Sequence, residues 1–124
     1  MAKVLVIEDD PTLRKVYVTV LTKEGFEVAE AGNGEEGLRL AEANEPDLIL
    51  LDMMMPRMSG LDFLRAYDVK VRHPKVKVVA FSATEKVEFV TEAPKLGAAK
   101  YLTKFRFSPK AMVQMVRETL AQPT

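Results

Sequence analysis

The sequence predicts an α/β domain: a doubly wound, five-stranded parallel sheet covered by five helices. Short, wholly apolar runs such as Val4-Leu5-Val6-Ile7 and Leu48-Ile49-Leu50-Leu51 recur, as strands buried on both faces require. Stretches with apolar residues at three- and four-residue spacing separate these runs. Helix-opening signals stand at the joins: Asp10-Pro11, Asn33, Ser59 and Ser108-Pro109. Strict alternation of the two element types is satisfied by right-handed crossovers with helices on both faces of a parallel sheet. The chain has 124 residues, the size of one domain with one core. No linker, low-complexity tract or repeat divides it.

The elements follow in order. Residues 4–7 form the first strand, which leads into Glu8-Asp9-Asp10. Asp10 is a favourable N-cap and Pro11 suits the first helical position, so the first helix opens here. Leu13, Val16, Tyr17, Val20 and Leu21 give that helix one apolar face, and Gly25 ends it. Residues 26–31 alternate apolar and polar, as an edge strand does. Asn33 and Glu36 have capping-box spacing for a second helix that runs to about Asn44. Residues 48–51 are the third strand. Pro56 marks the loop after it, and Ser59 caps a third helix extending to about His73. Residues 76–81 are the fourth strand. The fourth helix begins near Thr84 and ends before Gly97; Pro94 removes a backbone donor within it and predicts a short or distorted helix. Residues 99–102 form a short fifth strand. In the last helix Met112, Met115, Val116, Thr119 and Leu120 share a face.

Composition excludes several classes. Lys plus Arg and Asp plus Glu are 18 each, so no bulk charge drives binding to nucleic acid or a membrane surface. There is no cysteine, which removes disulfides, thiol chemistry and Cys-type zinc sites. No apolar run approaches the roughly 20 residues of a membrane span. The N-terminus enters a strand with no secretion signal, so a cytoplasmic protein is expected.

Parallel strands deliver the residues after them to the carboxyl edge of the sheet, where ligands bind in such folds. Glu8, Asp9, Asp52, Ser82 and Lys104 all fall at that edge. So many carboxylates in one place call for a divalent cation, a raised pKa, or both. An exposed, ionised aspartate can attack a phosphoryl group and form an acyl phosphate. A lysine and a serine nearby can bind the phosphoryl oxygens. Each residue alone has a plainer reading: a turn aspartate, a solvated acidic loop, a serine helix cap, an exposed lysine. Their conjunction is what points to phosphoryl chemistry.

The chain resembles a response-regulator receiver domain over essentially its whole length. The resemblance is carried by Glu8-Asp9-Asp10, Asp52, Met55-Pro56 with Ser59-Gly60, Ser82-Ala83, and Tyr101-Leu102-Thr103-Lys104, in that order and spacing. It implies a flavodoxin-like sheet of strand order 2-1-3-4-5. It also implies that Asp52 is the phosphoacceptor of a two-component phosphorelay, with Ser82 and Lys104 assisting. Mg²⁺ would be held directly by Asp9 and Asp52, through water by Glu8, and by the Met54 backbone carbonyl. Asp10 would keep the structural role of N-cap. Ser82 and Tyr101 would form the switch, the aromatic moving inward when the phosphoryl group draws the serine toward it. The implied partners are a sensor histidine kinase or phosphotransfer protein and a downstream effector, with no direct nucleic-acid or membrane contact. Output would pass through the face of the fourth helix, fifth strand and last helix, to a separate protein or to a second copy in a phosphorylation-dependent homodimer. The chain would assist its own phosphorylation and hydrolysis without turning over a metabolite, and reads as a stand-alone receiver.

Other readings are weaker. A pseudo-receiver that binds partners without phosphorylation conflicts with the intact acidic, serine and lysine set. A phosphatase of the haloacid-dehalogenase class needs an Asp two residues after Asp52, where Met54 stands. A flavin-binding relative of the same fold would carry Ser/Thr and Gly after the first strand, not carboxylates. Gly32-Asn33-Gly34-Glu35-Glu36-Gly37 matches a dinucleotide fingerprint in letters, but Glu35 and Glu36 in the first helical turn would repel a pyrophosphate. Met53-Met54-Met55 has no His or Cys partner for a soft metal and reads as core and loop packing. His73 is expected at the surface near a helix C-terminus. One departure from the family concerns Lys104, which is followed by Phe105 rather than proline. A cis bond there would cost about 2.5–4 kcal/mol, so a trans bond is expected, in a segment one residue longer than usual.

Overall fold

The computed structural model describes residues 1–83, 86–104 and 108–123. Strands β1 (Lys3–Ile7), β2 (Glu27–Ala31), β3 (Leu48–Asp52), β4 (Lys77–Ser82) and β5 (Ala98–Thr103) form one parallel sheet in the order β2-β1-β3-β4-β5. Between and after them run α1 (Pro11–Lys23), α2 (Gly34–Ala43), α3 (Gly60–Tyr67), the single-turn α4 (Val69–Arg72), α5 (Val87–Lys95) and α6 (Pro109–Ala121). The expected class and strand order are both found.

Alternate residues of the central strands feed two separate cores. Leu5, Ile7, Ile49, Leu51, Val78 and Ala80 face Leu61, Phe63, Leu64, Tyr67 and Phe89 from α3 and α5. Val4, Val6, Leu48, Leu50, Val79 and Phe81 face Leu21 of α1 and Met112, Val113 and Val116 of α6. Every residue of β3 is buried, the reason it reads as an unbroken apolar run.

The caps behave as the sequence implies. Asp10 Oδ1 accepts from the N–H groups of Thr12 (2.9 Å) and Leu13 (3.2 Å). Asn33 accepts from the Glu36 N–H at 2.8 Å, but the Glu36 carboxylate reaches back one residue further, to the Gly32 N–H at 3.1 Å. Ser59 and Asp62 make a reciprocal capping box. Ser108 accepts from the Ala111 N–H at 3.1 Å.

Four expectations need correction. The third helix does not run unbroken to His73: Asp68 takes a left-handed conformation (φ 52°) that separates α3 from α4, and a short polar residue tolerates this best after glycine. Val16, expected on the inner face of α1, is 41% exposed; the buried stripe centres on Tyr17 and Leu21, and Val16 lies beyond its margin. The fourth expected helix, α5, starts at Val87 behind a Lys86 that gives no side-chain cap. It spans nine residues with Pro94 in its last turn, short as Pro94 predicted. His73 is not a surface side chain: only 12% of it is exposed, and its ring stacks on Tyr67 at 4.0 Å with Nδ1 2.6 Å from a Glu45 oxygen. Thr84 and the Lys104–Phe105 bond, with the segment after it, lie outside the described residues.

Candidate functional site

Register assembles the site. Ile7 pairs with Leu51, so Glu8 follows β1 beside Asp52, the last residue of β3. Asp52 pairs with Phe81 and Ser82 pairs with Thr103, which brings Ser82 and Lys104 to the same edge. Backbone bonds lock this order beyond the strands: Met53 N–H to Phe81 O at 2.8 Å, and Lys104 N–H to Ser82 O at 2.8 Å. Below the site the loop after Asp52 folds tightly. Met53 is fully buried and lies so close to Gly60 that a Cβ there would sit 2.8 Å from the Met53 Cα.

Four polar side chains are buried at this edge, Glu8, Asp52, Ser82 and Lys104; Asp52, expected exposed, is only 2% exposed because Lys104 and Glu8 close over it. Asp9 beside them is exposed. Lys104 Nζ lies 2.7 Å from Glu8 Oε1 and 3.1 Å from Asp52 Oδ1. Asp52 Oδ1 also accepts from the Met54 N–H at 3.1 Å. Its second oxygen, Oδ2, is buried and receives no hydrogen bond. Carboxylate oxygens of Glu8, Asp9 and Asp52 all lie within 4.8 Å of one another.

The electrostatics follow from that crowding. Burial, reinforced by the carboxyls of Asp9 and Glu8, pushes Asp52 up to about 8; Lys104 opposes the shift without cancelling it. Burial acts to lower Lys104, but its hydrogen bond to Glu8 and the Asp52 charge outweigh that and raise it. One ammonium thus faces three carboxylates. A divalent cation would displace the Asp52 proton and take Oδ2 among its hard oxygen ligands, so this donor set fits Mg²⁺.

The structure therefore brings together Glu8, Asp9, Asp52 and Lys104 in direct proximity, with Ser82 buried on the adjacent strand. Met54 joins through its N–H, while its side chain is 42% exposed. Tyr101 is half-buried on β5, packed against the α3–α5 core and opposite Ala80. Two neighbours of the site were not singled out from sequence. Tyr17 stacks on Phe81 with ring centroids 5.8 Å apart. Its hydroxyl is raised first by burial and then by the Glu8 charge. Arg14 Nη1 donates to the Glu8 carbonyl at 2.8 Å. Its signal in the sequence was a cation in the first turns of a helix, where the dipole favours anions.

The sequence decoys resolve as packing. Gly34 lies against Met58 and Gly37 against Ile7, at distances a Cβ would violate. Met53 and Met55 are buried.

Comparison with known proteins decides the family. The profile of the response regulator receiver domain matches residues 4–117. The chain belongs to this family. Among curated relatives, the receiver is 37% identical over 118 residues to the DNA-binding response regulator MtrA of Mycolicibacterium smegmatis, covering 95% of this chain and 50% of that protein. It is 40% identical over 103 residues to the transcriptional regulatory protein PdtaR of Mycobacterium tuberculosis, covering 82% of this chain and 49% of that protein. The receiver thus spans about half the length of these relatives. Among solved structures it resembles a CheY-like receiver domain protein from Methanospirillum hungatei (TM-score 0.90, 27% identity, 97% of this chain and 94% of that one). It also resembles the chemotaxis protein CheY4 of Vibrio cholerae (TM-score 0.87, 28% identity, 96% and 98%). No helix among the described residues is long and apolar enough to cross a membrane.

Proposed function

We propose that this receiver accepts a phosphoryl group on Asp52 and changes its protein contacts as a result. The observation that carries the reading is Asp52 Oδ2: a buried carboxylate oxygen without a donor, beside an acidic pair and a lysine. The donor would be a phosphohistidine on a sensor kinase or phosphotransfer protein. An Asp52 oxygen forms a P–O bond as the P–N bond breaks, and the bonding pair leaves with the imidazole nitrogen. Lys104 Nζ turns from Glu8 and Asp52 to the arriving phosphoryl oxygens, and Ser82 donates to another. Asp9, Asp52, the Met54 carbonyl and, through water, Glu8 would hold Mg²⁺, which would offset the negative charge of the phosphoryl oxygens. Tyr101 and Ser82 carry the change to the face of α5, β5 and α6, where an effector or a second copy docks. The receiver acts on its own acyl phosphate, not on a metabolite, and works in the cytoplasm.

The test is beryllofluoride with Mg²⁺, read by amide NMR shifts. Saturable shifts around Asp52 and Tyr101, absent in Asp52→Asn, are expected. A silent wild-type spectrum would overturn the reading in favour of a module that its partners recognise in one state.

A further inference from the structure

Arg14 occupies an unfavourable place for a cation. It stands four residues after the N-cap Asp10, at the end of α1 whose exposed N–H groups favour negative charge. Its side chain is nevertheless largely covered, with 21% exposed. Nη1 donates to the Glu8 carbonyl at 2.8 Å, and Nε donates to Glu30 Oε1 at 3.1 Å. Room for the guanidinium is made by Gly32, where a Cβ would stand 3.1 Å from Nη1. The Glu8 N–H meanwhile bonds the Ala31 carbonyl at 3.1 Å. Both backbone groups of Glu8 are therefore tied to the end of β2, one directly and one through Arg14.

The Glu8 carbonyl belongs to the peptide that joins Glu8 to Asp9. Fixing that peptide plane fixes where the Asp9 Cα, and with it the exposed Asp9 carboxylate, stands relative to buried Glu8. Glu8 itself is further held by the Asp10 N–H, which donates to its Oε2 at 3.2 Å. Asp9 is the member of the acidic pair whose placement depends on the backbone.

We propose that Arg14 is a positioning residue, which sets the spacing of the Glu8 and Asp9 carboxylates and thereby the affinity of the receiver for a divalent cation. This rests on the reading of the acidic edge as a Mg²⁺ site. Two effects of Arg14 oppose each other, and their signs differ. As a bare charge near carboxylates it would repel a cation, so its removal would tighten binding. As a positioning group its removal weakens binding, and second-shell partners of metal ligands commonly contribute about 10- to 100-fold.

The experiment is titration calorimetry with Mg²⁺ alone on the whole chain, with thermal melting of each variant as a check on folding. Arg14→Met keeps the apolar stem and loses the donors; about tenfold weaker Mg²⁺ binding is expected. Arg14→Lys, with one donor for the same carbonyl, is expected to recover most of that loss. Glu30→Gln leaves the Glu8 contact in place and is expected to bind Mg²⁺ within about twofold of wild type, since only the flanking pair changes. Unchanged or tighter binding by Arg14→Met overturns the inference while leaving the Mg²⁺ site standing. Absence of Mg²⁺ binding in the wild type overturns both. If Arg14→Met does not fold, Arg14→Gln carries the test: its amide ends two bonds short of Nη1 and loses the Glu8 carbonyl, the same weakening is expected, and undiminished binding overturns the inference.

Discussion

Asp52→Asn removes one ionisable group while keeping the side chain's shape and its acceptor for the Met54 N–H. In the metal-free receiver the Asp52 carboxyl is raised from 3.8 to about 8. Above pH 3.8 the unfolded chain has released this proton, while the folded chain retains it until about pH 8. The folded state therefore binds more protons across that window, and stability from this group falls as pH rises through it. At pH 7 the difference spans about three pH units, each worth about 1.4 kcal/mol, so the ceiling is about 4 kcal/mol. Loss of the 3.1 Å contact with Lys104 works against the gain. A net stabilisation of about 2 kcal/mol at pH 7 is expected, reading as about 5–10 °C in Tm for a domain of this size. Near pH 4 the variant and wild type should melt together. The assay is thermal unfolding without divalent cations at several pH values, then with 10 mM Mg²⁺. Added Mg²⁺ should raise the wild-type Tm and leave the variant nearly unmoved, because a ligand stabilises only the state that binds it. A variant less stable than wild type at pH 7, or a difference independent of pH, would refute the reasoning.

Two further outcomes follow from the geometry. Lys104→Met leaves Glu8 and Asp52 without their cation, and breaking a buried pair costs about 3–5 kcal/mol; its melting point should fall sharply above pH 8, less at pH 5 where Asp52 holds its proton, and recover in part with Mg²⁺. Gly60→Ala forces a Cβ to 2.8 Å from the Met53 Cα, so chemical denaturation should show a loss of about 1–3 kcal/mol, with NMR shifts spreading to Asp52.

The site was legible to different depths. Asp10, Asn33, Ser59 and Ser108 cap where the sequence places them, because capping is settled by residues three apart. Pro94 falls in the last turn of α5, two residues before the helix C-cap Leu96, where the expected end before Gly97 is met. Asp68 was not legible: a left-handed residue inside an apolar-periodic stretch leaves the pattern intact on both sides. Val16 fell on the wrong side because five apolar residues in α1 define a stripe wider than the surface it buries. His73 was misplaced because its cover, Tyr67 and Glu45, comes from other elements. Arg14 was missed because its partner is a backbone carbonyl, which no residue type announces.

The sequence alone determined that five strands alternate with helices, and that an acid, a serine or a lysine stands at the carboxyl end of four of them. Those are consequences of burial periodicity and local chain chemistry, which act over a few residues. Only the tertiary structure decided which oxygen of Asp52 is idle, that Lys104 bridges Glu8 and Asp52, and that Arg14 grips the peptide between the acidic pair. Those are matters of strand register and of distances within a buried space, where a shift of one ångström makes or removes a hydrogen bond.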